Sequence, residues 1–178
     1  MFLWRASKKR SDAPGPHVIQ VLVASHAIVG ALFLGALVGR WIVLGLAERA
    51  TSLIAIRALT QAAVPFERTV IVSSLLVLVL GIMTAIAQGR PFLGPLQGAP
   101  VDWLFTSFVL YLTIVPLVPF VFVPRGRLLD AALEEAIARD VITPELIAAF
   151  RDPMVRAAHV YELAVVTIVF ALMVGKPF

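Results

Sequence analysis

Of 178 residues, 60% are hydrophobic and only 15% charged, where an average soluble domain sits near roughly half and a quarter. Cysteine is absent, which excludes disulfides, iron–sulfur clusters, thiolate metal sites and cysteine catalysis. The net charge of +4 is modest, and no folded basic surface follows the basic start of the chain, so nucleic acid is not an expected partner.

The apolar excess gathers in four stretches, 17–46, 69–88, 103–123 and 157–174. Each is long enough, at about 1.5 Å per residue, to cross a hydrocarbon core roughly 30 Å thick. The expected fold is all-α: an integral membrane four-helix bundle, one domain over 17–178, with the lipid bilayer around it. Residues 1–16 read as a polar tail carrying Arg5, Lys8, Lys9 and Arg10, a juxtamembrane cluster attracted to anionic lipid. The apolar run after Pro16 exceeds the roughly 7–15 residues of a signal-peptide core.

The first span places Ala27, Ala31, Gly35 and Gly39 four residues apart. Such a stripe lets a neighbouring backbone approach closely in lipid. Packing inside the bundle is the expectation, with a homodimer or another membrane subunit as the alternative. Arg40 ends the span and Trp41 suits an interfacial anchor. Residues 47–68 mix Glu48, Arg49, Arg57, Glu67 and Arg68 with apolar residues. They are expected to be helical, at the interface or continuing the first helix. Pro65 then suits the first turn before the second span.

The second span stops at Gly89, with Pro91 just beyond. The short loop 90–102 makes the second and third spans antiparallel neighbours. Pro116 and Pro119 predict a distortion in the third span. Within 124–156 the apolar positions recur at helical spacing. Thr143-Pro144-Glu145 and Asp152-Pro153 are helix starts. Short interfacial amphipathic helices follow, on the membrane surface or against the bundle. One echo stands out: Gly89-Arg90-Pro91-Phe92 after the second span and Gly175-Lys176-Pro177-Phe178 after the fourth. It fits either a two-plus-two duplication or shared C-cap chemistry.

Four spans put 1–16 and the loop 90–102 on one side, and the connections 47–68 and 124–156 on the other. The basic tail and the basic connections compete under the positive-inside rule. Arg125 and Arg127 directly abut a span, which favours the connections as the cytoplasmic side.

Few residues could carry chemistry. His26 lies roughly 12 Å inside the first span, where a neutral imidazole could ligate haem iron or another metal, relay a proton, or simply bond a neighbouring helix. At the other side Arg40, Glu67, Arg68, His159 and Glu162 could form a polar intramembrane network. Arg40 and Glu162 are its expected central pair, serving as a charge-neutral lock between helices, a proton path or a contact for an anionic substrate. His26 and His159 enter from opposite sides, about 15 Å apart in depth on straight helices, which disfavours a bis-histidine haem. No metalloprotease, nucleotide-loop or nucleophile-elbow motif is present.

Ser25-His26-Ala27-Ile28-Val29-Gly30 with Gly35, Leu80-Gly81, and Leu172-Met173-Val174-Gly175-Lys176-Pro177 resemble the bacterial predicted integral membrane proteins of domain of unknown function 2269, over about 18–177. That resemblance implies four spans in a bacterial inner membrane and no established activity. The arrangement is more distantly similar to copper-resistance D-type proteins and to four-helix haem-dependent protoporphyrinogen oxidases, which implies haem as a cofactor and His26 as its ligand. Three functional readings result. The first is a non-catalytic accessory or interaction subunit. The second is a haem- or metal-binding redox protein using His26. The third is a small transporter built on the Arg40–Glu162 network.

Overall fold

A computed structural model of the chain describes residues 14–177. The basic cluster Arg5, Lys8, Lys9 and Arg10, and Phe178 of the echoed tetrapeptide, lie outside the described residues. The described residues form six α-helices: α1 (Pro16–Arg49), α2 (Leu53–Ala87), α3 (Trp103–Ile114), α4 (Val123–Arg139), α5 (Pro144–Phe150) and α6 (Pro153–Gly175). A 3-10 turn at Gly94–Gln97 lies between α2 and α3, and a π-helical turn at Val118–Phe122 links α3 to α4. Among the described residues, four helical stretches are long and apolar enough to span a membrane. The fold is an all-α membrane bundle.

The first two helices form a hairpin. They contain 34 and 35 residues, or about 51 and 53 Å at 1.5 Å per residue, so their shared turn projects past a core of about 30 Å. Ser52 caps α2 by accepting a hydrogen bond from the Ala55 amide at 3.3 Å. The charged segment 47–68 is divided: residues 47–49 are the end of α1, and from Leu53 onward it is the first part of α2. Pro65 sits inside that helix, not in its first turn. A proline within a helix removes one backbone bond, and membrane helices tolerate this where other groups satisfy the freed backbone. The carbonyl that this proline leaves without its ladder donor is that of Gln61. Separately, the Thr69 hydroxyl donates to the Pro65 carbonyl at 2.8 Å, an i−4 back-bond of threonine in a helix.

The third span carries the distortion that its prolines predict. After α3 the backbone turns at Val115 and Pro116, then widens into the π-helical turn containing Pro119 before α4 begins. Proline cannot donate to the regular ladder, and a wider turn is one way to accommodate that loss.

The helices of 124–156 pack against the bundle. Ala132, Leu133 and Ala136 of α4 and Leu146 of α5 bury Ile56 of α2 in a small apolar cluster beside the α1–α2 turn. Thr143 caps α5 and Asp152 caps α6. Asp152 also pairs with Arg125 at 2.6 Å, and Glu48 near the end of α1 pairs with Arg151 and Arg156. These ties join the extramembrane end of α1 to the start of α6.

The membrane core is drawn from every long helix: Phe33, Ala36 and Leu37 of α1, Val70 of α2, Tyr111 and Ile114 of α3, and Val165 and Val166 of α6. The Tyr111 hydroxyl donates to the Ser74 carbonyl at 2.7 Å, so its buried polar tip is satisfied. Outside this layer the long helices expose Val21, Ile28, Leu75 and Ile168, as a surface against hydrocarbon requires.

The small-residue stripe does not serve the packing expected of it. Ala27, Ala31 and Gly35 are exposed. A Cβ on Gly35 would meet nothing within 4 Å, whereas one on Gly39 would lie 2.5 Å from the Phe66 ring of α2. The reason is helical precession. A step of four residues advances about 40° on a 3.6-residue helix, so a stripe from Ala27 to Gly39 rotates by about 120°. Of its two glycines, Gly39 meets α2 closely and Gly35 does not, while Ala31 and Gly35 border a groove shared with Pro65, Phe66 and Thr69 of α2.

Candidate functional site

Two polar sites lie on opposite sides of the apolar layer. The first contains Arg40, His159 and Glu162. Arg40 and Glu162 are 7% and 3% exposed. An Arg40 Nη2–H donates to His159 Nε2 at 2.6 Å. An imidazole nitrogen that accepts is unprotonated, so this ring is neutral with its proton on Nδ1. Arg40 Nη2 lies 3.6 Å from Glu162 Oε2, close enough for an ion pair but too long for a hydrogen bond. Arg40 Nε and Glu162 Oε2 are buried with no hydrogen-bond partner.

The π-helical turn supplies a fourth member that sequence reasoning missed. Phe122 stacks on His159 with centroids 4.8 Å apart and planes 25° apart, and the Arg40 guanidinium carbon lies 4.8 Å from the same ring centroid. Its signal was indirect: Pro116 and Pro119 announced a distortion but not which side chain it would aim.

Glu67 and Arg68 do not join this network. Both are exposed, and among the described residues neither forms an ion pair. Phe66 and Val70 turn inward on α2, so the two residues after Phe66, at about 100° steps, turn away. The expected group of five is a group of three.

The second site surrounds His26. Its ring packs on Gly81 of α2, where an added Cβ would lie 3.0 Å from His26 Cε1. Imidazole Nδ1 is turned to α2, 3.4 Å from a Cβ added at Gly81, where it is buried within reach of the Val77 backbone. The ring faces a cavity of about 260 Å³, walled also by Gly30, Tyr111, Val166 and Met173. A smaller space of about 60 Å³, which Phe92, Ser107 and Phe108 help to line, adjoins it across His26 and Gly81. Residues on which the family resemblance rests, His26, Gly30, Gly81, Met173, Val174 and Lys176, converge on this one cavity.

Two walls of the cavity belong to the outer surface of the bundle. Val23 of α1 is 41% exposed, and Phe170 and Val174 of α6 are 43% and 71% exposed; all three line the cavity. It opens sideways, between α1 and α6, where lipid would lie. Its end towards the loop 88–102 is polar, with Gln88, Arg90, Trp103 and Lys176. The Arg90 guanidinium carbon and Lys176 Nζ lie 5.5 and 5.7 Å from the Trp103 ring centroid. Sequence reasoning found Arg90 and Lys176 only as an echo, and it missed Trp103 as their shared partner.

Haem is the group that the distant resemblance implies, and His26 offers it one plausible donor. The volume does not suit it. Pockets for drug-sized ligands occupy about 300–1,000 Å³, and 260 Å³ falls below that range, while a porphyrin is a broad, rigid plate. Gly81 also supports one edge of the imidazole without leaving room for a macrocycle there. Among the described residues no group of three or more histidine, cysteine, aspartate or glutamate side chains could hold a metal ion. The site as folded does not fit haem.

No curated protein and no solved structure matches the chain. The model of one family, described as predicted integral membrane protein (DUF2269), matches residues 20–177. With that match covering nearly all of the span-bearing sequence, the chain belongs to this family of predicted integral membrane proteins.

Proposed function

We propose that the chain is a non-catalytic membrane protein, of the bacterial inner membrane, that binds a slender lipid-soluble ligand in the His26 cavity. The observation that carries this reading is an apolar cavity, bordered by the His26 ring, whose exposed walls on α1 and α6 lie at the side of the bundle. Sites for small apolar molecules are concave and mostly apolar, with a few polar groups. At about 30 Å³ for each water-sized unit, 260 Å³ holds eight or nine such units, enough for one chain or one small ring. The Thr84 and Tyr111 hydroxyls at its walls donate to the Leu80 and Ser74 carbonyls, so the reading is binding and not a reaction.

Gly30 gives a direct test. It lines the cavity, and a Cβ there meets nothing within 4 Å, so Gly30→Leu fills volume without a backbone clash. Purified protein is equilibrated with a bacterial lipid extract and examined by native mass spectrometry. Wild type is expected to retain a small-molecule adduct that Gly30→Leu loses while keeping its melting temperature. Equal adducts in both proteins would refute the reading.

An interaction role is the second reading, favoured by the unused stripe. Ala31 and Gly35 border an open groove of about 590 Å³ with Pro65, and close backbone approach between membrane helices uses such residues. Gly35→Leu is expected to shift the mass of the detergent-solubilised assembly towards monomer. An unchanged assembly mass would remove this role from α1.

A further inference from the structure

We infer that the cavity takes an amphiphile with an anionic head, a carboxylate or phosphate, held at the Arg90–Lys176–Trp103 rim with its apolar tail towards His26. The inference rests on the cavity reading above and names the class of ligand. Its starting point is the convergence of the two echoed segments. Arg90 follows α2 and Lys176 caps α6, 86 residues apart by their numbers, yet both cations reach one indole ring.

Each cation has a local explanation by itself. Helix C-termini carry partial negative charge and attract cations, and indole faces do the same. Those effects do not account for both cations bordering one cavity. Two like charges beside one ring repel each other, and among the described residues neither Arg90 nor Lys176 forms an ion pair. Arg90 Nε donates only to the neutral Gln88 side chain, at 3.2 Å. The nearest acid in the loop, Asp102, is engaged as the N-cap of α3, accepting from the Phe105 amide at 2.9 Å.

Lys176 also adopts a backbone conformation that disfavours it. Its φ is +43°, in the left-handed region where glycine is the usual C-cap residue. That conformation is strained for a residue with a side chain, and here it accompanies an ammonium group placed at the rim. An anion between the two cations would relieve their repulsion. The lateral opening gives a membrane amphiphile a route in that keeps its tail in hydrocarbon and its head at the polar end of the bundle.

The test uses the full chain in a sterol-based detergent and three probes with one tail: 11-bromoundecanoate, 11-bromoundecyl phosphate and 11-bromoundecanol. Native mass spectrometry reads the bound fraction from the bromine isotope doublet. Both anions are expected to bind at least tenfold more tightly than the alcohol. The variant Arg90→Gln/Lys176→Gln is expected to lose that preference while binding the alcohol as wild type does. Tighter binding of the carboxylate assigns the head to a fatty acid, and of the phosphate to a phospholipid-like head. Equal binding of acid and alcohol, or a preference that survives in the double variant, overturns the anionic head and leaves the cavity reading standing. No binding of any probe, with Gly30→Leu indistinguishable from wild type, overturns both.

Discussion

The two ends of the bundle each hold a half-buried histidine, and they use it differently. Near the α4–α5 side, His159 is engaged by two side chains: Phe122 covers its face and Arg40 donates to its Nε2. Towards the other side, His26 rests on Gly81 with empty volume beside it. The residue type is the same and the helical environment is similarly apolar. What separates a structural imidazole from a ligand-facing one is whether the neighbours fill the space around it. Glycine at 30 and 81 leaves that space open, and the proline-driven turn that places Phe122 closes it at the other end.

The contrast breaks most sharply at Arg40. Removing one member of a buried ion pair leaves the other charge uncompensated, a loss of about 3–5 kcal/mol. Arg40→Leu should therefore lower the melting temperature of the detergent-solubilised protein more than any other single change at either site. Replacing the pair together, in Arg40→Leu/Glu162→Leu, removes both charges and should recover most of the loss, since apolar replacement of a buried pair is often neutral or stabilising. If the single variant melts with wild type, Arg40 is solvated in a way its 7% exposure does not suggest. If the double variant stays as unstable as the single one, the pair contributes more than charge balance, and the transporter reading regains ground.

How much of this was legible beforehand follows from which signals are local. Span number and helical class rest on run length and composition, and both can be read without a partner. Asp152 as a cap and the distortion at Pro116–Pro119 are local as well. Arg40 and Glu162 were legible as a pair because charges inside a membrane have few alternatives but each other. Glu67 and Arg68 were misassigned because a proline at 65 suggested a helix start, which hid the rotation that Phe66 and Val70 impose on α2. The stripe from Ala27 to Gly39 misled for a related reason: residues four apart share a face only over a short distance. Trp103 and Phe122 were out of reach, since each matters only through partners brought from distant parts of the chain.

The smallest expected effect on stability is the most informative about the cavity. His26→Leu replaces the imidazole with a side chain suited to apolar walls. Removing its nitrogens from an apolar layer relieves a desolvation cost of about 1–3 kcal/mol. The loss of ring contact with Gly81 and with the Val77 backbone acts in the other direction. The net change in melting should be small, although the substituted residue sits in the middle of a span. Ligand retention should nevertheless fall, because the ring that borders the cavity is gone. A structural histidine gives the opposite pattern, with stability lost and ligand binding unaffected, as expected for His159. Measuring melting and adduct retention on the same His26→Leu sample therefore separates the two roles. A large drop in melting would place His26 with His159 as a packing residue, and the difference between the two halves of the bundle would disappear.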